Sequence, residues 1–176
     1  MAIAVLAGLR FDRLGAACGL RARLGEALIG AGATTLVSGA TCGADLLALD
    51  VAGEFGLRRC VVLPYGVERF RERFIEDRPG DWAPLFDTVV AAVSAAADLT
   101  ILDLPPAGAN PDERTNEGIL TRALALAAGS GASAEAFAVW DGPADGGAGH
   151  TRHFVRTAQW LGMRVTSIPI EETQIS

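Results

Sequence analysis

Short apolar runs followed by small-residue turns and then helical patterns recur about six times along this chain, and that alternation leaves few folds open. The runs fall at 3–7, 35–37, 59–63, 99–104, 136–140 and 165–168. Between them, helical periodicity covers 14–31, 44–55, 86–96, 112–128 and 151–161, with Gly32, Gly56 and Gly162 as stops. The charged stretch 67–77 alternates signs like a solvated helix face, with Phe70, Phe74 and Trp82 to pack it down. The runs are continuously apolar rather than alternating, as strands covered on both faces are. The expected fold is a single α/β domain spanning 1–176: a doubly wound, mostly parallel sheet of about six strands with helices on both faces.

Composition narrows the partners. The 176 residues carry a net charge of −6, which argues against binding nucleic acid through general basicity. All 15 basic residues are arginine; without lysine there is neither Schiff-base chemistry nor a P-loop lysine. Cys18, Cys42 and Cys60 lack a C-x-x-C spacing and read as reduced thiols of a cytoplasmic protein. The start lacks a signal-peptide pattern and no run is long enough to span a membrane, so no membrane partner is expected.

In sheets of this kind ligands bind beyond the carboxyl ends of the strands. The most informative candidate is Ser38-Gly39-Ala40-Thr41-Cys42-Gly43-Ala44-Asp45, a strand end, a glycine turn and a helix start in succession. Helix starts expose unpaired N–H groups and the positive end of a dipole, which suit phosphate. Gly39 and Gly43 remove side chains that would hold a ligand off the backbone. The plainer alternative is a capped turn, with Ser38 or Thr41 satisfying helix N–H groups. Asp45 either stabilises the helix start or meets a ribose hydroxyl, and the sequence leaves both open. Gly8 and Arg10, after the first run, and Asn116, in a helix start, are further ligand contacts.

The stretch 141–151 is a second strand–loop–helix site, whose Gly147, Gly149 and Thr151 suit another backbone cradle. Here too a plain surface loop is the alternative. His150 reads as a hydrogen-bonding partner or acid. With His153 and Asp141 or Asp145 it makes too loose a set to define a metal site, and no metal or cofactor is expected. The glycine-rich 129–134 precedes a strand, so it is a connector and not a dinucleotide fingerprint. Arg69 and Arg71 are further candidate phosphate contacts. For chemistry, the candidate carboxylates are Glu117, Asp45 and Asp141; Cys42, at a helix start, is a minor nucleophile candidate with no histidine near it in sequence.

The run 37–45 resembles the SGG-x-x-G-AD element of the SLOG superfamily, which takes in the LOG phosphoribohydrolases and the DNA-processing DprA proteins on a Rossmann-like sheet. The resemblance extends to Val61-Val62-Leu63-Pro64 with Arg69-Phe70, to Arg114-Thr115-Asn116-Glu117 and to the glycine-rich 146–151. LOG enzymes carry PGG-x-GT-x-x-E, whose glycines and threonine hold phosphate and whose glutamate serves cleavage of a nucleotide N-glycosidic bond. In Gly146-Gly147-Ala148-Gly149-His150-Thr151-Arg152-His153-Phe154 a histidine precedes the threonine and no glutamate follows. The cradle is partly kept and the acid is not. The resemblance therefore implies a divergent bacterial member that senses a nucleotide or a derivative such as ADP-ribose, and a homodimer. Ser38, Gly39, Thr41 and Gly43 would hold one phosphate; Gly147, Gly149 and Thr151 a second group; Arg10 and Asn116 would orient the ligand. The alternatives are a nucleotide N-glycosidic hydrolase using one of the three carboxylates, and an interaction domain with no small ligand.

Overall fold

The computed structural model describes residues 1–10, 19–108, 110–142 and 149–170. Its core is one sheet of six parallel strands: β1 (Ala2–Gly8), β2 (Ala33–Ser38), β3 (Arg58–Leu63), β4 (Leu99–Ile101), β5 (Ser133–Val139) and β6 (Arg164–Ile168). They lie in the order β4-β3-β2-β1-β5-β6. The expected sheet is therefore present, and it is wholly rather than mostly parallel.

Alternate side chains of each strand feed two apolar layers. Leu6, Leu36, Val61, Leu63 and Phe137 pack under helices α1 (Leu20–Gly30), α2 (Ala44–Glu54), α3 (Val67–Phe74) and α4 (Trp82–Ala95). Val5, Val37, Val62, Ala136 and Ala138 pack under α5 (Pro111–Ser130) and α6 (Gly149–Trp160). The central strand β1 is buried along its whole length, which is why it carries no polar position. It pairs with β2 on one side and β5 on the other, so the winding direction reverses there. Such a reversal opens a crevice beyond the strand ends.

Some boundaries differ from the sequence reading. The helix expected at 86–96 begins at Trp82, within the Pro/Gly/Trp segment. Trp82 is fully buried, and Pro84 stands in the first turn, where a missing N–H costs no helical bond. Strand β4 stops at Ile101 because Asp103 adopts a left-handed φ of 53°. The chain still follows β3: Leu102 N–H donates to Leu63 O and Leu104 N–H to Pro64 O, both at 2.9 Å. The expected helix at 14–31 is seen from Leu20; its first part lies outside the described residues, as does Cys18. No described helix is long and apolar enough to cross a membrane.

The β3–β4 edge is pinned by a charge pair. Asp98 is buried, and Arg58 donates to it twice, Nε to Oδ2 at 2.9 Å and Nη2 to Oδ1 at 2.5 Å. Arg122 of α5 approaches to 3.8 Å. The Arg58 hydrogen bonds hold the Asp98 carboxyl below the usual carboxylate range, against the opposing effect of burial. A lowered carboxyl contributes stability that is present above its unfolded pKa and lost as pH falls through the folded one. Asp98→Ala should cost about 1–3 kcal/mol at neutral pH, discounted for the exposed side of Arg58. In urea titrations the gap to wild type should close as pH falls below the ordinary aspartate range.

Candidate functional site

The crevice at the winding reversal is a cleft lined by Gly8 at the end of β1 and Arg10 after it, Gly39 and Thr41 between β2 and α2, Asp45 of α2, Pro64 after β3, and Phe70 and Phe74 of α3. Asp112, Thr115 and Asn116 of α5 and His150 of α6 close the other side. The ends of three strands and the starts of three long helices thus meet at one place. The free cavity is about 30 Å³, room for a water molecule or two. Its narrowness has a visible cause: Arg10 Nη2 reaches Asp112 Oδ1 at 2.5 Å, joining the β1 loop to the α5 start.

Gly8 sets how closely these parts approach. A Cβ there would lie 2.5 Å from Ala44 Cβ, 2.6 Å from Val139 Cβ and 3.0 Å from Val139 O. Leu9 N–H donates to Val139 O at 2.9 Å, and Ala44 N–H donates to Leu9 O at 3.1 Å. One orphan donor of the α2 start is thereby used within the protein. Gly43, just before the helix, has φ 121° and ψ −134°, a conformation that favours glycine.

Asp45 occupies the first turn of α2 and is only 7% exposed. Thr41 Oγ1 donates to its Oδ2 at 2.8 Å, whereas its buried Oδ1 has no hydrogen-bond partner. A Cβ on Gly39 would stand 2.9 Å from Oδ2, so this glycine makes room for the carboxyl. Burial pushes the Asp45 carboxyl above the usual range, opposed by the Thr41 hydrogen bond and by the nearby His150 and Arg10. A carboxyl so placed is a common feature of functional sites.

On the opposite wall, Asn116 is buried and its Nδ2 donates to His150 O at 2.7 Å, with His153 Nδ1 at 3.3 Å. His150 Nε2 lies 3.2 Å from Gly8 O. A carbonyl only accepts, so this contact is a hydrogen bond when Nε2 carries the proton. Thr151 is fully buried with Oγ1 unpartnered. Arg10 Nε is likewise buried and unpartnered, and its guanidinium sits 5.8 Å from the Phe74 ring centroid.

Several candidates stand elsewhere. The Ser38 hydroxyl is fully buried and donates to Leu6 O at 2.8 Å, tying β2 to β1. The Cys42 thiol is buried and meets Phe74 O at 3.6 Å. Glu117 is half exposed, 3.7 Å from Arg114, in a separate groove beside Leu102 and Leu104. Asp141 Oδ1 accepts from Ile170 N–H at 2.8 Å. Arg71 is held by Asp87 and Glu76, and Arg69 lies over the Tyr65 ring at 4.5 Å. Gly149 opens α6, but Gly147 and Asp145 lie outside the described residues. Among the described residues no three His, Cys, Asp or Glu side chains group to hold a metal. Of the three candidate carboxylates, only Asp45 lines the cleft.

Phe74, expected to pack down the 67–77 helix, lines the cleft, and so does Asp112 of the first turn of α5. Nothing local marks Asp112 as the partner of an arginine 102 positions away. No protein-family model matches the chain, and no curated protein sequence matches it.

Two outcomes follow from this geometry. Gly8→Ala should destabilise the fold by about 1–3 kcal/mol in chemical denaturation, because backbone and Cβ atoms must give way. For Asp45 the sign is opposite to that for Asp98: a raised carboxyl makes the folded state bind the proton more tightly, so its contribution falls as pH rises from the unfolded pKa through the folded one. Asp45→Asn should therefore raise the Tm at neutral pH, and the gain should vanish below the ordinary aspartate range.

Proposed function

We propose that this cleft binds a phosphorylated nucleoside or a related nucleotide derivative. The observation that carries the reading is the pair of buried, unpartnered polar atoms, Asp45 Oδ1 and Arg10 Nε, on residues that line the crevice where the sheet reverses. Buried polar atoms are ordinarily paired, and leaving one unpaired costs about 1–3 kcal/mol. A ligand that pairs them recovers that cost on binding.

The three helix starts differ in sign. The first turn of α2 carries Asp45 and that of α5 carries Asp112 and Glu113, whereas the first turn of α6 carries no acid. An anionic group is best placed against α6, beside His150 and Thr151, with Arg10 turned to it. This agrees with the partial likeness of 146–154 to the phosphate-holding LOG motif. Because the cavity is small, entry requires the Arg10–Asp112 pair to part, and a phosphate takes over the guanidinium that Asp112 holds in the free protein.

A second reading is hydrolysis of an N-glycosidic bond with Asp45 as the acid, favoured by the carboxyl's raised pKa and place in the cleft. The two are separated by incubating the protein with nucleoside monophosphates and ADP-ribose, measuring binding by calorimetry and free base by chromatography. Binding without base release is expected. Arg10→Ala should weaken binding about tenfold or more, the loss of a charge-assisted contact. Asp112→Asn, which frees Arg10, should strengthen it. Base release by wild type, abolished in Asp45→Asn, would establish the hydrolase; no binding by any of these compounds would sink the nucleotide reading.

A further inference from the structure

The start of α2 looks like a phosphate cradle in sequence, yet the structure puts a carboxyl there. Asp45 lies over Gly39, its Oδ2 is taken by Thr41, and its Oδ1 is buried without a partner in a residue that lines the cleft. Ala44 N–H is already engaged by Leu9 O, and Leu46 N–H by Thr41 O. The donors that would greet an anion are thus in part used, and an anion placed there would face a buried carboxyl in a poorly screened setting. A group that donates a hydrogen bond meets the opposite situation: it supplies what Oδ1 lacks.

We propose that Asp45 is a hydroxyl-reading residue, whose Oδ1 accepts a hydrogen bond from an O–H of the ligand, so that the two glycine turns are not equivalent phosphate sites. This rests on the reading of the cleft as a nucleotide site and adds the polarity of the ligand within it: anionic end toward α6, hydroxylated part toward α2. Gly39 and Thr41 serve as positioning residues. Gly39 leaves space for the carboxyl, and Thr41 orients it by holding Oδ2. The burial of Asp45 makes the selection stringent, since a ligand lacking the hydroxyl leaves Oδ1 unpaired inside the complex.

The test compares matched probes. Affinities of wild type are measured by calorimetry for AMP and its 2′-deoxy, 3′-deoxy and 2′,3′-dideoxy forms, and in parallel for ribose, ribose 5-phosphate and their 2-deoxy forms. Loss of one hydroxyl should weaken binding by about tenfold or more. In Asp45→Ala the ratio between hydroxylated and deoxy probes should fall to near one, while the thermal midpoint confirms the fold. In Asp45→Asn, which keeps the volume but weakens the acceptor, the ratio should fall between the two. If Asp45→Ala does not fold, the ratio in Asp45→Asn decides the matter.

Nucleotides that bind with no preference for any hydroxyl would overturn the role of Asp45 and leave the nucleotide reading standing. Hydroxyl discrimination among the sugars alone, lost in Asp45→Ala, would support Asp45 and remove the nucleotide. A ratio unchanged in Asp45→Ala overturns the assignment, and no binding of either probe set overturns both readings.

Discussion

The site depends on one close approach, that of the β1 end to the start of α2 and to β5 at Gly8. There is no space for a side chain: the nearest atoms would stand 2.5 and 2.6 Å from a Cβ. The backbone uses that proximity, since Leu9 donates to Val139 on β5 and accepts from Ala44 on α2. Because Asp45 follows Ala44, the same contact sets how deep its carboxyl lies. His150 then meets the Gly8 carbonyl from the far side, so both walls of the cleft are referenced to one glycine.

Polarity inside the cleft follows from what each helix start carries. A helix start favours negative charge, and a protein can meet that preference with a side chain or leave it to a ligand. Here α2 and α5 use their own acids and α6 does not. The two acids are managed differently. Asp112 is 32% exposed and holds Arg10, whereas Asp45 is buried with one oxygen satisfied.

The layers away from the cleft are organised by simpler rules. Parallel strands buried on both faces divide their side chains between the two helical layers, and Trp82 and Phe86 fill the broader one. At the sheet's β4 edge, where apolar burial is thinner, the Arg58–Asp98 pair joins β3 to the turn before β4. That pair is the counterpart of Asp45 in chemistry: a carboxyl held by a guanidinium is lowered, while a buried one supported by Thr41 is raised.

By itself the sequence determined the elements and their class. Continuous apolar runs, each ended by glycine or proline and followed by helical periodicity, admit little besides a doubly wound sheet. Of the expected ligand contacts, Asp45, Asn116, Arg10 and His150 do line one cleft. Only the tertiary structure decided how those residues act. Ser38 faces Leu6, Glu117 faces a different groove, and Asp112 pairs with Arg10 across the sheet end. Local pattern fixes which residues sit at a helix start, because that depends on neighbours in sequence. Whether a carboxyl there is buried, paired or left with an empty oxygen depends on atoms brought from distant strands, which no local pattern contains.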